Sequence, residues 1–110
     1  MKRLLSSAWA LIFIGTICLL NKTVDASEYD RGKRLYSTHC QICHGIKGDG
    51  NGPAAVTLGV PPADFTKPSF WQNDVDKKIT ETILHGHGPM PAFNLKPEEI
   101  KAIKRKRGQR

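Results

Sequence analysis

Between residues 45 and 68, nine of twenty-four positions are glycine or proline, in the stretch "GIKGDGNGPAAVTLGVPPADFTKP". Neither the 3.6-residue period of a helix nor the two-residue period of a strand survives that spacing. Compact domains seldom carry so long a loop without regular structure unless it binds something. The middle of this chain therefore calls for a ligand to organise it.

Helical signals flank the loop. Ser27 and Asp30 form a shortened capping box, and Gly32, Leu35 and Tyr36 follow at near-helical spacing, which predicts a first helix from about Glu28 to Cys43. Asn73 or Asp74 is the expected cap of a second helix with Val75, Ile79 and Ile83 on one stripe and Gly86 at its end. A third, short helix is expected at Pro97, with Glu98 and Glu99 complementing its amino-terminal dipole and Ile100 and Ile103 facing inward. No strand pattern of useful length and no internal repeat occurs. The class that follows is all-α, with about three short helices and long loops.

Lys2 and Arg3 precede an apolar run from Leu4 to Leu20, and Val24-Asp25-Ala26 places small residues where a signal peptidase reads. Residues 1–26 read as a signal peptide cleaved after Ala26, with an uncleaved membrane anchor as the rival. Cys18 follows Ile17, too large for lipoprotein processing, and reads as part of the leader. Export points to the periplasm or the medium.

The remaining 84 residues carry 14 basic and 9 acidic side chains, a net charge of +5. Six of those basic residues lie in the last ten positions, so the body is close to neutral and the excess is a tail. Nucleic acid is not an expected partner of an exported chain with a neutral body. A domain this small buries only about 60% of its unfolded surface and usually needs a staple. Cys40 and Cys43, the two cysteines left, are too close in sequence to constrain the unfolded chain as a disulfide.

Those cysteines stand in "CQICH", a Cys-x-x-Cys-His run. At 100° per residue on a helix, Cys43 falls about 60° to one side of Cys40 and His44 about 40° to the other, so all three share a face. Two thiols there suit the two vinyl groups of one porphyrin, with the imidazole aimed at its iron; the run is the attachment motif of c-type haem. A covalently held cofactor would supply the interior that 84 residues cannot build. A thioredoxin-like dithiol would want a preceding strand, which the pattern lacks. A zinc site using Cys40, Cys43, His85 and His87 has one residue between its histidines where three to five are usual.

With "CQICHG", "GDGNGPAA", "PPADF" and "HGHGPMPAF" in that order, the chain from about Glu28 to Ile103 resembles a monohaem class I c-type cytochrome of bacterial type. The resemblance implies an all-helical domain around one covalently bound haem c, with His44 and Met90 as iron ligands. It also implies that the carbonyl of Pro53 meets the other nitrogen of the ligating imidazole, a bond that fixes ring orientation. Met90 has a physical case besides: a neutral thioether favours reduced iron, and the flanking prolines restrain the backbone. Some of Phe65, Phe70, Trp71 and Phe93 are expected to cover the porphyrin edge, with no one of them assigned. His39, turned about 100° from Cys40, reads as a surface residue, His85 as a helix carboxyl-end residue, and His87 as a loop residue.

Where the family has an apolar pair beyond Ile103, this sequence has Lys106 and Arg107. The expectation is a cytochrome c domain over 27–103 whose last helix ends early and crosses the first one weakly. Residues 104–110 then form a basic tail, either truncated or disordered, or a docking patch for an acidic redox partner or anionic lipid.

The reading that follows is a periplasmic electron carrier, not an enzyme, exchanging electrons with redox protein partners. The alternatives are an open-site haem protein, peroxidase-like or gas-binding, and a haem-free exported thiol oxidoreductase.

Overall fold

A computed structural model describes residues 26–108; the expected leader lies outside these residues except for Ala26. Residues 26–39 are helical (α1), Gln41–His44 form a single turn (α2), and two longer helices follow, α3 (Val75–His85) and α4 (Pro97–Gly108). The long loop holds two 3₁₀ turns, Ala55–Thr57 and Pro68–Trp71. No strand occurs among the described residues, where the β-type pairing is an isolated bridge between His87 and Met90. The architecture is the all-α one expected.

The expected first helix is interrupted at Cys40, whose backbone (φ −114°, ψ −35°) departs from ideal helix before the chain resumes as α2. The hydrogen bonds nearly bridge the break: the Cys40 N–H donates to Tyr36 O at 2.9 Å, and the N–H groups of Cys43 and His44 both donate to Cys40 O, at 3.2 and 2.9 Å. The shared face of Cys40, Cys43 and His44 thus survives on one turn.

α1 and α4 cross in backbone contact. A Cβ on Gly32 would lie 2.0 Å from the carbonyl oxygen of Ala102, which is completely buried, so only glycine admits this approach. Tyr36, Ile100, Ile103 and Ile83 of α3 complete the buried apolar core among the described residues. Five such side chains make a small interior for a domain of this size, while Ile42, Ile46, Val56 and Val60 remain exposed. Among the described residues, protein side chains give the domain a small apolar core.

α4 corrects the expectation for the carboxyl end. It runs on to Gly108, five residues past Ile103. Lys106 places its ammonium 4.6 Å from the centre of the Tyr36 ring, so a cation and its methylene stem cover the site where an apolar pair was expected. Arg105 pairs with Glu28 of α1 at 2.8 Å, Lys101 approaches the same carboxylate at 3.9 Å, and Lys104 reaches Asp76 of α3 at 3.5 Å. The basic residues up to 106 fold back onto the body.

At the other end of α4, Glu99 receives the Lys96 N–H at 2.9 Å and the Arg31 guanidinium at 3.2 Å. Of the two acidic residues expected in the first turn, Glu99 therefore caps the helix and also binds it to α1.

α3 begins and ends where the sequence indicates, but its start is built differently. Asn73 and Asp74 both adopt left-handed backbone (φ 51° and 48°), and the Asp74 side chain makes no capping bond. The Asp74 main-chain carbonyl instead accepts from Lys77 and Lys78 at 3.1 and 3.3 Å. Gly86 closes the helix at φ 75°, its N–H donating to Thr82 O.

Candidate haem site

α2 is too short to satisfy its own carbonyls, and the glycine loop does so for it. Gly50 N–H donates to His44 O (2.9 Å), Gly52 N–H to Cys43 O (3.0 Å) and Ala54 N–H to Ile42 O (2.9 Å). A Cβ on Gly52 would sit 2.3 Å from Ile42 O, so the loop can lie this close to the turn only with glycine there. From the other side, the buried Tyr36 hydroxyl donates to Gly45 O at 2.7 Å. The residue after His44 is therefore tied to the core through α1.

The loop then returns. Phe65 N–H donates to Gly48 O at 2.7 Å, which draws "PPADF" against the Cys-x-x-Cys-His turn. Two groups meet His44 as a result. Its Nδ1 lies 3.2 Å from Ala63 O, and the Phe65 ring stacks on the imidazole at 4.7 Å between centroids and 21° between planes. A carbonyl only accepts, so Nδ1 is the donor here, and in the neutral form of the ring Nε2 carries the lone pair. Phe65 packs in turn against Phe70 (4.9 Å) and Trp71 (6.4 Å), and the Trp71 indole N–H donates to Phe65 O at 3.0 Å.

The carbonyl that meets the imidazole is that of Ala63, where the resemblance pointed to Pro53. The reason is the path of the loop. Pro53 is exposed, and its neighbours Gly52 and Ala54 are committed to the α2 carbonyls, whereas the returning segment presents Ala63 to the ring.

Met90 is half-buried in a tight turn after α3. His87 and Met90 exchange two main-chain hydrogen bonds of 3.0 Å each. A Cβ on Gly86 would lie 2.7 Å from Met90 O, so the turn folds directly onto the end of the helix. Phe93 N–H donates to Ile83 O at 2.8 Å and fixes the far end of the segment. His85 and His87 are both exposed, at the helix carboxyl end and in the loop, as expected. His39 differs: it is half-buried, with its ring 5.6 Å from that of Phe93 at 59°. The pairing was not legible locally, because the two residues are far apart in sequence.

Cys40 and Cys43 are half-buried and form no disulfide. Among the described residues no three His, Cys, Asp or Glu side chains converge as ligands of a bare ion would, so the Cys40, Cys43, His85 and His87 zinc arrangement gains no geometric support. Two thiols and an oriented imidazole on one turn, beside a partly built apolar interior, fit a covalently held porphyrin instead.

Residues 27–105 match the family model described as cytochrome C oxidase, cbb3-type, subunit III. The chain belongs to this family of c-type cytochromes. A cbb3-type cytochrome c oxidase subunit CcoP of Azospirillum sp. (strain B510) is 33% identical over 86 residues, or 76% of this chain and 28% of that protein. The protein of the same name in Azospirillum brasilense is 31% identical over the same shares. A cytochrome c-553-like protein of Synechocystis sp. is 29% identical over 77 residues, 66% of this chain and 60% of its own length. The chain thus spans under a third of the length of the CcoP subunits that it matches. No solved structure matches it. As a c-type cytochrome it is an electron-transfer protein with one covalently bound haem c as its cofactor.

Proposed function

We propose that this cytochrome is an exported one-electron carrier in which Cys40 and Cys43 bond covalently to the haem vinyl groups and His44 and Met90 are the two iron ligands. The observation that carries the reading is the imidazole of His44, held by Ala63 O and Phe65 beside two thiols on the same turn. When bound, the haem supplies one-electron chemistry between ferrous and ferric iron.

The chain's own residues set the terms of that chemistry. Ala63 O holds the Nδ1 proton, which leaves Nε2 for the metal and increases the basicity of the ring. Phe65 covers one face of the His44 ring and is backed by Phe70 and Trp71, so this face is sheltered from water. The Met90 thioether is neutral and favours the ferrous state over what a second imidazole would give. The turn that bears it is braced by Gly86 and by Phe93, so the sulfur is presented from a fixed backbone.

The leader expected over residues 1–26 supports a periplasmic location, and relatives named as oxidase subunits support redox proteins of a respiratory chain ending in a terminal oxidase as partners. Among the described residues no helix is long and apolar enough to cross a membrane.

The test is to express the full chain with haem-attachment machinery. The expected product has the mass of peptide plus one haem, a haem c pyridine spectrum and the weak far-red band of sulfur-bound ferric iron. Met90→Ala should lose that band and bind carbon monoxide readily. A colourless product of bare-peptide mass overturns the assignment of Cys40 and Cys43. A coloured product that binds carbon monoxide equally with and without Met90 supports the open-site reading instead.

A further inference from the structure

We infer that His39 is a positioning residue for the methionine segment, because its ring packs on Phe93 and thereby ties the turn that bears the haem-attachment cysteines to the stretch that carries Met90. The inference rests on the proposed ligation by Met90 and extends it to a residue outside the attachment motif.

The connection is short at both ends. His39 ends α1 and immediately precedes Cys40. Phe93 follows Met90 by three residues, across Pro91 and Ala92, where the backbone has little freedom. The rings lie 5.6 Å apart and tilted by 59°, within the range of favourable aromatic contacts. Both are half-buried, so the contact is partly sheltered from water.

The methionine segment is otherwise fastened to α3. Gly86 packs under Met90 O and Ala92 N, His87 and Met90 pair with each other, and the Phe93 N–H is taken by Ile83 O. Residues 83–93 therefore form one hook, rigid within itself. Displacing Met90 from iron requires the hook to move relative to the cysteine-bearing turn. The His39–Phe93 contact spans that gap and is lost in such a movement, so it opposes displacement without touching the iron.

The test reads displacement directly. Imidazole is titrated into the ferric holoprotein, and its dissociation constant is measured from the loss of the far-red band. His39→Ala is expected to tighten apparent imidazole binding by about three- to tenfold, the size of one aromatic contact. His39→Phe, which keeps a flat ring, should stay within about twofold of the parent. Phe93→Leu, which removes the contact from the other side, should match His39→Ala and covers the case in which His39→Ala fails to mature. The double variant should add nothing further.

A role in general stability alone would lower the melting temperature of His39→Ala and leave the imidazole constant unchanged, which would overturn the inference. So would an equal change in His39→Ala and His39→Phe, or an unchanged constant in Phe93→Leu. Met90→Ala, which has no far-red band and is followed by its Soret shift instead, is the separate control: if it binds imidazole no more tightly than the parent, the ligation by Met90 itself fails, whatever His39 does.

Discussion

The hydroxyl of Tyr36 donates a 2.7 Å hydrogen bond to the carbonyl of Gly45, and the ammonium of Lys106 lies 4.6 Å from the centre of the same ring. One side chain, 1% exposed, thus joins the residue after His44 to the last turns of α4. The core of the domain and the edge of its candidate site are one structure at this point.

Removing the hydroxyl separates the two. Tyr36→Phe keeps the ring in the core and leaves Gly45 O without its buried donor, which costs about 1–2 kcal/mol. Urea denaturation of the holoprotein measures this loss. Lys106→Ala should cost less, about 0.5–1 kcal/mol, because it removes a cation–π contact made by a half-buried lysine and leaves no buried polar group unpaired. A larger effect for Lys106 than for Tyr36 would mean that the carboxyl end contributes more than covering this ring.

Gly32 tests the helix crossing. An added methyl would lie 2.0 Å from Ala102 O, a backbone atom that cannot swing aside, so α1 and α4 must separate. Gly32→Ala should destabilise the fold by about 3 kcal/mol or more, at or above the upper end of ordinary overpacking. Chemical denaturation checks it, and a loss below about 1 kcal/mol would show that the crossing is looser than the contact implies.

Phe65 links stability to redox behaviour. Its ring stacks on His44 and packs against Phe70 and Trp71, but it is only half-buried, so Phe65→Ala should cost about 2 kcal/mol, less than a full core truncation. Water reaching the imidazole stabilises the more charged ferric state, and the reduction potential should fall. Spectroelectrochemical titration of parent and variant reads the shift. A potential that rises would contradict the placement of Phe65 as a shield.

What the sequence made legible follows from how local each determinant is. The ends of α3 were readable because Gly86 and the Val75, Ile79 and Ile83 stripe act within one helix. The shared face of Cys40, Cys43 and His44 was readable because one turn decides it, even though α1 breaks at Cys40. Ala63 was not: which carbonyl meets Nδ1 depends on the return path of the loop, set by Phe65 N–H to Gly48 O and by the Gly52 approach. The length of α4 was misjudged because a lysine in an apolar position looks like a helix end, whereas Lys106 lies over Tyr36 and Arg105 bonds to Glu28. The His39–Phe93 pair has no local signal, since only the packing of α1 against the segment after α3 creates it.

Glu99 gives the domain an acid-sensitive joint between α1 and α4. The Lys96 N–H holds its carboxyl below the ordinary value of 4.5; burial opposes this, and the Arg31 guanidinium adds to the lowering. A carboxyl whose folded pKa is depressed adds stability that is fully present above 4.5 and is lost as pH falls through the lower folded value. Glu99→Gln keeps an acceptor for the Lys96 N–H but has no charge to lose. Its stability should therefore change less than the parent's as pH is lowered from 5 to 3, about the window spanned by ordinary carboxyls. Parallel urea denaturation of both proteins across that window checks the sign: parent and variant curves should converge toward low pH. If they stay equally far apart at every pH, the difference between them comes from packing at the start of α4, with no share from the ionisation of Glu99.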